Sequence, residues 1–222
     1  MELFDAMRTT FAAREYTGEA LPDDILYEIL DNARFAPSGG NRQGAHIIVV
    51  RDKNTRKALG EITTPAAKRY IAQITLGESP WNSVVPTAAD DATIAATKPA
   101  AMLTETFINA DVVLIFTVDL KVVASMDQYL DRVGLVSGGS IYPMVWNTLL
   151  AARQAGYGGT ITTLAIAQED KLRDLLNIPS DHAVCAIVPM GKPVKQLTKL
   201  KRNSVESFVT QEHFDGDAYT KP

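Results

Sequence analysis

The sequence predicts one layered domain of helices packed on a sheet, α+β or α/β in class. Three apolar runs carry this reading: "HIIVV" (46–50), "ADVVLIFTVDL" (110–120) and "HAVCAIVPMG" (182–191). Each is short, β-branched and bounded by polar or turn residues, which marks a buried strand. Between them lie stretches whose apolar residues recur at helical spacing. A strand that is apolar without interruption needs cover on both faces, and helices in the long connections supply it. No repeat, low-complexity segment or clean linker divides the 222 residues, so a single domain is expected.

In chain order, "LPDDILYEILDNARFAP" places Ile25, Leu26, Ile29, Leu30 and Ala33 on one helical face. Asp23 or Asp24 suits the positive end of that helix, and Pro37 stops it. "HIIVVRD" follows as a strand. "NTRKALGEI" and "PAAKRYIAQI" read as two further helices. Residues 77–100 show little periodicity and contain Pro80, Pro86 and Pro99. A loop of that length inside a compact domain usually has a function. "SIYPMVWNTLLAARQAG" is a long helix with Ile141, Val145, Leu149 and Ala152 on one face; Pro143 lies in its first turn and Gly156 ends it. "YGGTITT" is a short strand or a loop, and "QEDKLRDLLNIP" a last helix before the third buried strand.

Composition narrows the function. The chain is 46% hydrophobic and 22% charged with net charge -4, which argues against a nucleic-acid partner because phosphate binding favours a basic face. Cys185 stands alone, so intrachain disulfides and paired-cysteine metal sites are excluded, and three scattered histidines match no zinc spacing. No window reaches the ~18 apolar residues of a membrane span, and the start lacks a secretory pattern; a cytoplasmic protein is expected. Nucleophile elbow, Walker loop, paired-histidine metalloprotease motif and dinucleotide glycine fingerprint are all missing. "VSGGS" (136–140) precedes a helix, so its glycines serve either an anion or close packing. Arg8 and Arg14 near the start, and Lys199, Lys201 and Arg202 near the end, make either solvated faces or one phosphate clamp.

The stretch "APSGGNRQ" (36–43) concentrates more flexible and hydrogen-bonding groups than a turn requires. Taken in order with "REYTGEALPDDIL", "AGYGGT", "LLNIPSDHAVCAIVPMGKP" and the basic "KRNSVESFV", it resembles the flavin-dependent nitroreductase family over nearly the whole chain. The resemblance implies an α+β sandwich: a central, mainly antiparallel sheet flanked by helices, in an intertwined homodimer. It implies FMN in each interfacial cleft, hydride from NAD(P)H, and a nitroaromatic, quinone or related small acceptor reduced in a ping-pong cycle. It also divides the chain into a variable lid over the active site (60–107) and a C-terminal extension (194–222).

Site residues carried by the resemblance are these. Arg14, two positions before Tyr16, lies near the flavin pyrimidine edge, where a cation stabilises negative charge on the reduced ring. Pro37, Ser38, Gly39 and Asn41 form the loop that crosses from one subunit onto the other's flavin. The backbone of Ile161, Thr162 and Thr163 passes the N5 side. Arg202 binds phosphate, with Lys201 or Lys199 as auxiliary. The chain departs from the family at Thr10, Phe11 and Ala12, where relatives carry Arg-Arg-Ser or similar; Arg8 and Thr10 are the candidates to compensate. Gly44 stands where relatives have proline, and Arg42 reaches either phosphate or solvent. Tyr70, Trp81 and Phe107 are the candidates to stack on an aromatic substrate. Tyr129 and Trp146 are expected to be structural or at the dimer interface, Cys185 a buried small hydrophobe, and His46 without a role. No metal is expected. Two other readings stay open: a flavin-binding sensor or carrier without turnover, and a same-fold enone reductase, dehalogenase or flavin-fragmenting enzyme.

Overall fold

The computed structural model describes residues 1–221. A short helix α1 (Leu3–Thr9) leads through an extended segment to α2 (Asp23–Ala33) and strand β1 (Ala45–Val50). The long α3 (Lys53–Thr75) follows, then three short helices, α4 (Asp91–Ala96), α5 (Ala101–Thr104) and α6 (Thr106–Asn109). Strand β2 (Val112–Asp119) precedes a long irregular segment and α7 (Tyr142–Gln154). The chain closes with β3 (Gly158–Gly159), α8 (Glu169–Leu176), β4 (His182–Gly191) and an extended tail.

The strands form one sheet in the order β1-β2-β4-β3, every pair antiparallel. Of the two classes left open by periodicity, α+β is therefore the one adopted. The period of two along β2 divides the interior. Val112, Leu114, Phe116 and Val118 face a cluster with Leu26 and Ile29 of α2 and Val145 and Leu149 of α7. Val113 and Ile115 face a second cluster with Leu59 of α3, Phe107 of α6 and Leu172 of α8. Both faces of the sheet are thus covered, as the apolar strands required.

Three elements differ from the sequence expectation. β1 is an edge strand with partly exposed residues, because only β2 pairs with it and Val49 faces outward. The two helices expected from "NTRKALGEI" and "PAAKRYIAQI" are one, running through Pro65. Proline there removes the backbone donor to the Glu61 carbonyl, and in the turn before it the Thr63 and Thr64 hydroxyls donate to the Leu59 and Gly60 carbonyls at 2.8 and 3.0 Å. The stretch 77–100, expected as a loop, also carries α4, which Asp90 caps by accepting from the Thr93 N–H at 2.8 Å. α8 ends where Asn177 turns left-handed (φ 53°), a conformation asparagine tolerates.

Candidate functional site

β3 and the residues after it form the sheet edge that bounds a cavity of about 810 Å³. Thr160 donates its N–H to Pro189 O at 3.3 Å, and Thr162 exchanges both backbone bonds with Ile187 at 2.9 Å. Alternate residues therefore pair with β4. The N–H groups of Ile161 and Thr163 make no hydrogen bond within the described chain, and extended geometry turns them away from β4. Ile161, Thr162 and Thr163 all line the cavity. The expectation for this segment is corrected at one point: the Thr162 N–H is taken by the sheet, leaving Ile161 and Thr163 as the free donors.

Opposite walls come from distant parts of the chain. Arg14 lines the cavity half-buried, its backbone carbonyl accepting from the Thr106 hydroxyl at 3.4 Å. Tyr70, at the end of α3, and Pro80 and Trp81 of the lid stand together. Trp81 is held by a donor–acceptor bond from its N–H to the buried Gln73 side chain at 3.1 Å, with a left-handed backbone (φ 57°). Leu135, Ser137, Gly138 and Tyr142 close another side, where the Tyr142 hydroxyl donates to Cys185 O at 3.2 Å. Ser137 and Gly138 of "VSGGS" line the cavity, and Gly138 also packs closely on α7, where a would-be Cβ would stand 3.0 Å from the Tyr142 ring.

The segment leading to that wall is organised by Asp127, which is 3% exposed. Its carboxylate accepts from the N–H groups of Leu135 at 2.6 Å and Val136 at 3.1 Å, and from Arg132 at 2.9 Å. These bonds, the Leu135 N–H foremost, hold its pKa down at about 2. Sequence reasoning passed over Asp127, Tyr142 and Thr106, since none belongs to a motif.

Other expected residues fall elsewhere. Phe107 is fully buried between α3 and the sheet and has no face for a substrate. Thr10 is buried, and its single hydroxyl proton goes to Ala6 O at 2.7 Å, so it has none to donate to a phosphate. Arg8 is exposed with its guanidinium 5.9 Å from the Phe4 ring. Lys201 and Arg202 lie on the exposed tail, Arg202 bonding Lys201 O, and neither lines the cavity. Cys185 is not wholly buried: it lines the cavity, and burial of its surroundings pushes the thiol up to about 11. Tyr129 and Trp146 are both exposed, so neither is a core residue.

The loop 37–43 also lies outside its own chain's cavity. It contains three left-handed residues, Gly40, Asn41 and Gln43, and is tied down by Gly39 N–H to Ser140 Oγ and Gln43 N–H to Ser38 Oγ, both at 3.0 Å. Arg42 donates to Val122 O at 3.2 Å, a structural contact. Gly44 packs against Val122: an added Cβ would stand 2.5 Å from that side chain, which would have to shift. The Pro37–Asn41 face is left exposed.

Among the described residues no group of three or more metal-ligating side chains occurs, and no helix is long and apolar enough to cross a membrane. Comparison with known proteins identifies relatives. The model of the nitroreductase family matches residues 7–192. A Thermus thermophilus protein named NADH dehydrogenase is 27% identical over 192 residues, 82% of each chain. The fold matches iodotyrosine deiodinase, solved with FMN and 3-iodo-L-tyrosine, at TM-score 0.69 and 20% identity, covering 96% of this chain and all of that one. It matches NfrA2 of B. megaterium at TM-score 0.70 and 18% identity, covering 96% and 75%.

Proposed function

Given that the chain belongs to the nitroreductase family, we propose that it is an FMN-dependent oxidoreductase, taking hydride from NAD(P)H and reducing a nitroaromatic, quinone or related small acceptor. The observation that carries this reading is the cavity's donor set. One wall is a sheet edge with two unpaired N–H groups, at Ile161 and Thr163; another holds a cation, Arg14; and Tyr70 and Trp81 stand at the lid. A flat, hydrogen-bond-accepting ring fits such a slot, and the volume of about 810 Å³ leaves space for a second ring above it.

Bound FMN supplies a two-electron carrier between donor and acceptor, alternately filled and emptied. The residues of the chain do the rest. Ile161 and Thr163 offer backbone donors that orient the ring's hydride-accepting edge. Arg14 offsets negative charge that accumulates on the ring's pyrimidine side. Tyr70 and Trp81 hold an aromatic acceptor by offset stacking. Arg202, with Lys201 or Lys199, reaches the phosphate, and Pro37, Ser38, Gly39 and Asn41 complete the slot of a second copy. Arg8 is the remaining basic group on the α1 side, Thr10 having no proton to give.

The decisive measurement is anaerobic. Purified protein should be yellow, bleach on addition of NADPH or NADH, and recover colour with a nitroaromatic. Protein that binds FMN but does not bleach would be a flavin carrier; protein that cannot be reconstituted with FMN would overturn the reading. The fold match along the whole of iodotyrosine deiodinase favours one alternative acceptor class, halogenated aromatics. Iodide released from 3-iodotyrosine by the reduced protein would establish it.

A further inference from the structure

Arg69 sits in the last third of α3, one residue before Tyr70, with its guanidinium 4.6 Å from the centre of the Trp81 ring. Tyr70 and Trp81 line the cavity; Arg69 stands just behind that wall, half-buried. Its Nε is buried and has no hydrogen-bond partner. Of the described arginines, only Arg8 and Arg69 make neither a hydrogen bond nor an ion pair, and Arg8 is exposed. A guanidinium carries five donors and is costly to bring out of water unpaired. The lid carboxylate that feels its charge, Glu78, is engaged elsewhere: it accepts from the Thr87 hydroxyl and from the Ala88 N–H, both at 2.6 Å. The stacking surface is itself fixed, because Gln73 holds the Trp81 backbone.

A partly desolvated, unpaired arginine held over an aromatic residue of the cavity wall is an anion receptor awaiting its anion. The lining contributes no acidic side chain to compete for it. We propose that Arg69 is a specificity-determining residue that takes an anionic substituent of the molecule entering the cavity, a carboxylate on an aromatic acceptor. Because Arg69 lies behind Trp81, it meets a substituent that projects past the indole at the rim while the ring itself stacks within. This rests on the function proposed above for the cavity. The same anionic chemistry occurs in the phosphates of the nicotinamide donor, and the test separates the two sources.

FMN-loaded protein is assayed with 4-nitrobenzoate and with its neutral methyl ester, as wild type, Arg69→Met and Arg69→Lys. Loss of a charge-assisted pair should raise KM for 4-nitrobenzoate about tenfold or more in Arg69→Met, with kcat little changed and the ester affected less than about twofold. Arg69→Lys, which keeps the charge but not the fork, should recover part of the loss. A KM increase confined to NADPH and absent with NADH supports the anion contact and assigns it to the donor's phosphate. Equal losses with charged and neutral acceptors mean that Arg69 only props Trp81, and overturn the proposal; so do unchanged constants throughout. Binding of benzoate against methyl benzoate, followed by indole fluorescence, decides the same point without turnover. Protein without FMN would refute the cavity's proposed function, yet this fluorescence comparison would still report on Arg69.

Discussion

Arg14 shows how a residue's position gives it chemistry. It follows the buried Ala13, whose N–H bonds to Gly159 O at 3.0 Å, so the N-terminal segment is registered against the very strand that opens the cavity. Arg14→Ala should therefore slow flavin reduction roughly tenfold, by the worth of one charge-assisted contact, while weakening flavin binding less; stopped-flow measurement of the reductive half-reaction checks this. Asp127 works differently, as a buried anion around which residues 125–136 fold while Met126, Tyr129, Leu130, Val133 and Leu135 face outward. Its carboxylate titrates at about 2 in the folded chain and near 3.9, an ordinary value, when unfolded. A depressed acid contributes stability that is fully present above the unfolded value and disappears as pH falls toward 2. Asp127→Asn should thus lower Tm at pH 7 by roughly 5 °C and flatten the decline between about pH 4 and 2, both visible in thermal melts. Arg14 was legible in the sequence because it falls in a motif. Asp127 was not, because an isolated aspartate shows its value only when the donors around it are known.

At the level of elements, α3 is the part that the sequence described least well. Pro65 and the threonines beside it mark a break by propensity, and two helices are the natural reading. Tertiary packing overrides it: Arg56, Leu59, Thr63, Ala66, Ala67 and Gln73 are all buried along the one helix. Continuity matters for the site, since a single rod carries Arg69, Tyr70 and Gln73 from the core to the lid. The approach of α3 to the α5–α6 segment depends on Gly60, where an added Cβ would stand 2.6 Å from the Thr104 carbonyl oxygen. Gly60→Ala should destabilise the fold by about 1–3 kcal/mol, since backbone must move to admit the methyl; chemical denaturation measures it. The same helix explains why Phe107 is not a substrate contact. Its ring, equally suited by chemistry to stack or to pack, is caught between Leu59 and the sheet.

For the molecule as a whole, the apolar surface is the informative feature. Leu3, Phe4 and Met7 of α1, Tyr142 and Trp146 of α7, and Phe208, Phe214 and Tyr219 of the tail are all exposed. In the function proposed above, a second copy of the chain would cover such side chains and receive the exposed Pro37–Asn41 loop. The protein should sediment as two copies of the 24.1 kDa chain, and Trp146→Glu should shift it toward monomer with loss of FMN; analytical ultracentrifugation with flavin absorbance follows both. A stable, active monomer would break this expectation. By itself the sequence determined the layered class, the three long strands, the helices α2, α7 and α8, and the order of motifs that led to the family, because period, turn chemistry and spacing are local properties written residue by residue. Only the tertiary structure decided that the sheet is antiparallel, that β1 lies at its edge, that Ile161 and Thr163 rather than Thr162 keep free N–H groups, and that Thr10 and Phe107 turn inward while Arg69 is left unpaired beside Trp81. Those outcomes depend on which partner reaches a group first, and the partners lie far away along the chain.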